Sequence, residues 1–70
     1  MEKYKNSNSG IYGYEIGDDY IKVRFKSSLR IYKYSYRKAG NRNVNNMKLL
    51  AIRGSGLNGY INSNVKNLYD

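Results

Sequence analysis

The segment Tyr20-Ile21-Lys22-Val23-Arg24-Phe25 alternates strictly, with Ile21, Val23 and Phe25 on one set of positions and Tyr20, Lys22 and Arg24 on the other. Successive side chains of a strand point to opposite faces, so a period of two predicts a half-buried β-strand. Residues 29–36 (LRIYKYSY) alternate again after the polar stretch Lys26-Ser27-Ser28, which predicts an antiparallel hairpin. Upstream, residues 11–16 (IYGYEI) predict another strand, with Gly13 marking a bulge or a close approach. Gly17-Asp18-Asp19 supplies turn chemistry between the two strands.

The length of the hairpin loop decides what the sheet displays, because a slip of one residue moves every side chain to the other face. A three-residue loop pairs Phe25 with Leu29, Val23 with Ile31 and Ile21 with Lys33. Ile21, Val23, Phe25, Leu29 and Ile31 then share one face, and Tyr20, Lys22, Arg24, Arg30, Tyr32, Tyr34 and Tyr36 share the other. An even loop instead sets Tyr32 and Tyr34 beside Ile21 and Val23 as core. The odd loop is preferred here because it separates aliphatic from basic positions cleanly.

Residues 37–42 (RKAGNR) read as a basic turn or loop. Asn43 is placed as the N-cap of a helix carrying Val44, Met47, Leu50 and Ala51 at helical spacing up to Ile52. Arg53-Gly54-Ser55-Gly56 ends it, and Ser55 is placed as the cap of a second helix with the stripe Leu57, Tyr60, Ile61, Val65 and Leu68. The expected fold is α+β: a three-stranded antiparallel β-meander followed by two helices packed on one face. It forms one domain over residues 10–70, behind a flexible lead-in of residues 1–9 (MEKYKNSNS) that lacks periodicity.

A 70-residue chain has a thin core, and this one contains neither cysteine nor histidine. Disulfide staples and the usual zinc-ligand sets are therefore excluded, which leaves apolar packing, self-association or a bound ligand as sources of stability. No stretch approaches the roughly 20 apolar residues of a membrane span, and residues 1–10 hold no apolar run of signal-peptide type. The expectation is a soluble cytoplasmic protein of a bacterial cell or a phage-infected host, with no membrane contact.

The formal charge is +8, and residues 22–42 hold eight basic side chains and no acidic one. Such a local excess attracts phosphates at long range. Catalysis is disfavoured by the lack of His or Cys as base or nucleophile and by carboxylates that fall mostly in one turn. Adjacent Asp18 and Asp19 read as turn formers rather than cation ligands, and Ser55 has no base to activate it. No cofactor is expected.

Two candidate sites remain. The first is the strand face, where Tyr32 and Tyr34, two residues apart, offer stacking surfaces beside Arg24, Arg30 and Lys33. Base stacking on such tyrosines contributes roughly 1–3 kcal/mol per base in single-strand binders. The alternatives are that these tyrosines are amphipathic packing residues, or that they form a protein or self-association interface. The second candidate is the corner Arg53-Gly54-Ser55-Gly56 with Asn58, where glycines and free helix N–H groups would make an anion-binding concavity. Its alternative is an ordinary helix-to-helix corner.

Several segments, in this order, resemble the KTSC domain, a family named for a C-terminal segment of some lysyl-tRNA synthetases. They are Ser9-Gly10-Ile11, Tyr20-Ile21-Lys22-Val23-Arg24-Phe25, Tyr32-Lys33-Tyr34 and Gly54-Ser55-Gly56-Leu57-Asn58-Gly59-Tyr60-Ile61-Asn62. The likeness covers about residues 9–69. Tyr32 and Tyr34 supply the central YxY, and Tyr69 the terminal tyrosine. This sequence has Ser27-Ser28 where the family usually has glycine, and a longer linker after YxY without the usual proline. The synthetase fusion implies RNA binding.

The leading expectation is therefore a non-catalytic binder of nucleic acid or an anionic nucleotide, through a basic, tyrosine-rich sheet face. The alternative is a phage- or mobile-element-type interaction module, docking on an acidic protein or assembling as a homo-oligomer that sequesters a ligand.

Overall fold

The computed structural model describes all residues 1–70 and contains one antiparallel four-stranded sheet and a set of short helices. The strands are β1 (Glu2–Lys3), β2 (Ile11–Ile16), β3 (Tyr20–Phe25) and β4 (Ile31–Ser35), and they lie in the sheet in chain order. The α+β class and the meander of β2, β3 and β4 agree with the sequence reading. The fourth strand comes from the stretch expected as a lead-in. Its backbone runs so close to β2 that a Cβ on Gly13 would lie 2.6 Å from the Glu2 carbonyl oxygen. Just after it, Tyr4 is buried, and its hydroxyl oxygen accepts from the Leu57 N–H at 3.3 Å. That bond ties the start of the chain to the helical layer.

The hairpin register is the even one, which corrects the preferred expectation. Ile21 faces Tyr34, Val23 faces Tyr32, Lys22 faces Lys33 and Arg24 faces Ile31. Leu29 belongs to the loop rather than to the strand: Ser28 N–H closes a turn onto the Phe25 carbonyl at 3.2 Å, and the Arg30 N–H bonds to the Ser28 hydroxyl at 3.0 Å. Leu29 is 85% exposed and Ile31 50% exposed, whereas Tyr34 is 1% exposed. The energetic reason lies in Lys33. The odd register would bury its ammonium against Ile21, at a cost of several kcal/mol for an unpaired ion. The even register keeps Lys33 in solvent and gives the core two tyrosine rings, which bury more apolar area than Leu29 and Ile31 would.

The two helices expected from the pattern become a longer series. Ser35 ends β4 and caps α1 (Tyr36–Ala39), its hydroxyl accepting from the Lys38 N–H. The basic residues 37–42 are thus largely helical. Gly40, not Asn43, precedes α2 (Asn41–Arg53), and Gly56, not Ser55, precedes α3 (Leu57–Tyr60). Asn43 lies within α2, where its amide donates to the Ala39 carbonyl (2.9 Å) and its oxygen accepts from the Tyr60 hydroxyl (2.7 Å). The Asn46 amide donates to the same Tyr60 oxygen, so α2 and α3 are joined by a short polar network. α3 runs directly into a π-helical turn, Ile61–Val65.

Both helical stripes pack on the sheet face that carries Ile21, Val23 and Tyr34. The core combines these with Tyr4, Ile11 and Tyr14 from the sheet side and Val44, Met47, Ala51, Leu57, Ile61 and Val65 from the helices. Leu68, expected in the second stripe, is 38% exposed. The last residues return to the free edge of β4. There the Asp70 N–H donates to the Lys33 carbonyl at 2.8 Å and the Ser35 hydroxyl donates to the Asp70 carboxylate at 2.7 Å. No helix is long and apolar enough to cross a membrane.

Candidate functional site: a cleft of tyrosines and asparagines

A two-residue period on β3 and β4 turns Phe25, Tyr32 and Tyr34 toward the helical layer. The helices cover the middle of that face but leave its hairpin end open. The result is a cleft of about 440 Å³, within the size range of small-ligand sites. The sheet side supplies Phe25, Tyr32 and Tyr34, and the hairpin turn supplies Ser27 and Ser28. Asn58, Ile61, Asn62, Lys66, Asn67 and Tyr69 form the opposite wall. Asn58 and Asn62 stand four residues apart, which places both on the flank of the apolar Leu57–Ile61–Val65 stripe. The second of them lies in the π-helical turn, a geometry often found at functional sites.

The aromatic rings meet edge to face. Tyr32 lies 5.6 Å from Phe25 and 4.8 Å from Tyr69, and Tyr34 lies 6.3 Å from Tyr69. The C-terminal bonds of Asp70 to β4 hold Tyr69 in place beside them. Arg30, just outside β4, sets its guanidinium 4.8 Å from the Tyr32 ring centre and 5.2 Å from that of Tyr69. A cation over two rings is attracted by their quadrupoles and remains able to donate to an anion.

Tyr34 is the deepest side chain of the cleft. Burial, together with the neighbouring Tyr32 and Tyr69 hydroxyls, pushes its phenol from the ordinary 10.0 up to about 12. The phenol is therefore neutral and a hydrogen-bond donor at any physiological pH. No group of the chain pairs with its hydroxyl, and no fully occluded side-chain oxygen or nitrogen in the protein lacks a partner. The Tyr34 oxygen thus opens onto the cleft. Asparagine amides each bring two donors and an acceptor, so the cleft combines flat apolar walls with polar groups of both kinds. No carboxylate lines it, and no three His, Cys, Asp or Glu side chains stand together as a metal site.

Of the residues singled out in the sequence, Tyr32, Tyr34, Arg30 and Asn58 are gathered at this cleft. Tyr32 and Tyr34 form its wall and floor, not an open stacking surface on the outer face. Arg24 and Lys33 stand on that outer face, Arg24 over the Tyr12 ring (4.4 Å) and Lys33 over the Tyr20 ring (4.9 Å). Arg53, Gly54, Ser55 and Gly56 form the corner between α2 and α3, away from the cleft. Gly54 takes a left-handed φ of 81° as the C-cap of α2, and a Cβ there would lie 2.7 Å from that of Lys5. Ser55 accepts from Arg53 Nε at 3.2 Å, and the Leu57 N–H is already used by Tyr4.

Sequence reasoning missed Asn62, Lys66 and Asn67 as site residues and placed Phe25 only as core. The signal available was the spacing of Asn58, Asn62 and Lys66, a polar strip one position from the apolar stripe. Comparison with family models, with curated proteins and with solved structures gave no match to this chain.

Proposed function

We propose that this chain is a non-catalytic binding module for an anionic, nucleotide-containing ligand, whose base enters the cleft against the aromatic wall of Tyr32, Tyr34 and Tyr69. The observation that carries this reading is the floor of the cleft: the hydroxyl of an otherwise buried tyrosine, open to the cleft and without an intrachain partner, among three aromatic rings and three asparagine amides. Flat rings receive a flat heterocycle, and amides with both donors and acceptors read its edge. Arg30 and Lys66 at the mouth supply positive charge for a phosphate. The resemblance to the KTSC domain supports the same reading, since Tyr32, Tyr34 and Tyr69, which carry that likeness, converge on one cleft. A cleft without a carboxylate, in a chain without His or Cys, supports binding rather than catalysis.

The test is a titration of the four ribonucleoside monophosphates followed by amide and side-chain NMR shifts. Shifts should cluster on Tyr32, Tyr34, Asn58, Asn62 and Tyr69, and Asn62→Ala should weaken binding while circular dichroism is unchanged. Shifts confined to other surfaces, or none with any nucleotide, would reject the proposal.

A second reading, self-association, rests on Leu49 and Ile52, which are exposed one turn apart on α2. Light scattering across a concentration series should then report a dimer that Leu49→Glu dissociates.

A further inference from the structure

Across the β3–β4 hairpin from the cleft lies a second hollow, of about 430 Å³, on the outer side of the sheet. Its walls include Lys3, Ser7, Tyr12, Arg24 and Lys26. The sequence of β2 creates it. Ile11 pairs with Phe25 and Gly13 with Arg24, so Tyr12 is the extra residue of a β-bulge and has no partner opposite. A bulge re-aims a side chain, and here it turns Tyr12 out to solvent, 44% exposed, with the Arg24 guanidinium 4.4 Å from its ring centre.

Arg24 also spans the hairpin. Its Nε donates to the Ser28 carbonyl at 3.3 Å, and Ser28 lines the cleft on the other side. The Lys26 ammonium donates to the Ser7 carbonyl, which holds it at the rim. One aromatic, cation-bearing hollow is therefore linked to the other through the hairpin turn of residues 26–29.

Charge separates the two ends of the outer face. Toward the turn between β2 and β3 the cations are partly answered, since Lys22 lies 3.8 Å from the Glu15 carboxylate and the Tyr20 hydroxyl donates to that carboxylate at 3.2 Å. Lys22–Glu15 is the only ion pair in the molecule, so Lys3, Arg24 and Lys26 have no carboxylate partner. Three unanswered cations around an exposed tyrosine complement a chain of phosphates with bases attached.

We propose that this hollow is a second subsite, and that the ligand is a single-stranded oligonucleotide: one base enters the cleft while the flanking phosphates cross the hairpin to Arg24, Lys26 and Lys3. The proposal rests on the reading of the cleft as a base site, and the two are separable by experiment. An acidic protein would meet the charge but would leave the Tyr12 ring and the link to the cleft unused.

The test uses fluorescence anisotropy with a labelled oligouridylate or oligoadenylate of about eight nucleotides, within the range bound by small single-strand modules. It compares the wild-type chain with the double variant Arg24→Gln, Lys26→Gln, which keeps the side-chain stems. Each phosphate contact on a single strand contributes about 0.7 to the slope of log affinity against log salt. Losing two should lower that slope by about 1.4 and weaken oligonucleotide binding about 25-fold at 0.1 M salt, with mononucleotide binding in the cleft unchanged. Arg24→Lys should restore part of the slope. Oligonucleotide affinity and slope unchanged in the double variant would overturn the subsite while leaving the cleft reading intact. Polyglutamate binding as tightly as the oligonucleotide, with the same dependence on Arg24 and Lys26, would overturn it in favour of an acidic protein partner. If the oligonucleotide binds with the expected slope but no mononucleotide perturbs the cleft, the base-site reading fails and the outer hollow stands.

Discussion

Replacing Tyr34 by alanine tests the hairpin register and, with it, the placement of the cleft. Tyr34 is 1% exposed, faces Ile21 across the sheet and contacts Tyr69. Removing a fully buried aromatic ring costs about 3–5 kcal/mol, the lost transfer energy plus the cavity left behind. A domain of this size is stabilised by only about 0.05–0.15 kcal/mol per residue, so Tyr34→Ala should remove from about a third to all of the stability of the chain. Ile31 is half exposed on the opposite face, so Ile31→Ala should cost no more than about 1 kcal/mol. In a small domain 1 kcal/mol moves the midpoint by about 4–8 °C, which separates the two variants by roughly 10 °C or more. Thermal and urea unfolding followed by circular dichroism would measure both. The odd register predicts the reverse order, since it exposes Tyr34 and buries Ile31. An Ile31→Ala variant less stable than Tyr34→Ala would refute the reasoning.

Tyr34→Phe should be close to neutral in stability at pH 7, because no intrachain partner is orphaned, yet it should weaken nucleotide binding in the NMR titration. The wild-type phenol has a folded-state pKa of about 12, above the unfolded value near 10. Its neutral form is the one the fold holds, so its stabilising contribution is complete below pH 10 and is lost as pH rises through 12. The stability difference between wild type and Tyr34→Phe should therefore change between those pH values and nowhere below them. Tyr4→Phe removes the acceptor of the buried Leu57 N–H and should cost about 1–3 kcal/mol in urea unfolding. A neutral result would mean that the start of the chain is not anchored to the helices. Gly54→Ala forces a side chain into a left-handed backbone and against Lys5, and should cost about 1–2 kcal/mol. Gly59→Ala meets nothing within 4 Å inside α3 and should stabilise by up to about 1 kcal/mol.

The strands β2, β3 and β4 were legible because alternation and β-forming residues are local properties that argue for a half-buried strand. The stripe Val44, Met47, Ala51 and then Leu57, Ile61, Val65 was legible for the same reason at helical period. The cap positions were not. Asn43 and Ser55 have the right chemistry for caps, but Gly40 and Gly56 hold those places with positive φ, and Asn43 serves instead in the network with Tyr60. Composition cannot rank two chemically suitable residues a few positions apart when a distant side chain decides between them.

Local pattern and composition were enough for the class of fold, the meander of β2, β3 and β4, the basic middle of the chain and the pairing of aromatic with cationic residues. Tertiary structure alone decided which face the tyrosines took. Every alternating strand carries two equivalent answers, and only the cost of burying Lys33, weighed against the area gained by burying Tyr32 and Tyr34, chose between them. The cleft is likewise a tertiary product, because Phe25, Tyr32, Asn62 and Tyr69 are distant in sequence. They meet where the helices stop short of the hairpin and the end of the chain returns to the edge of β4.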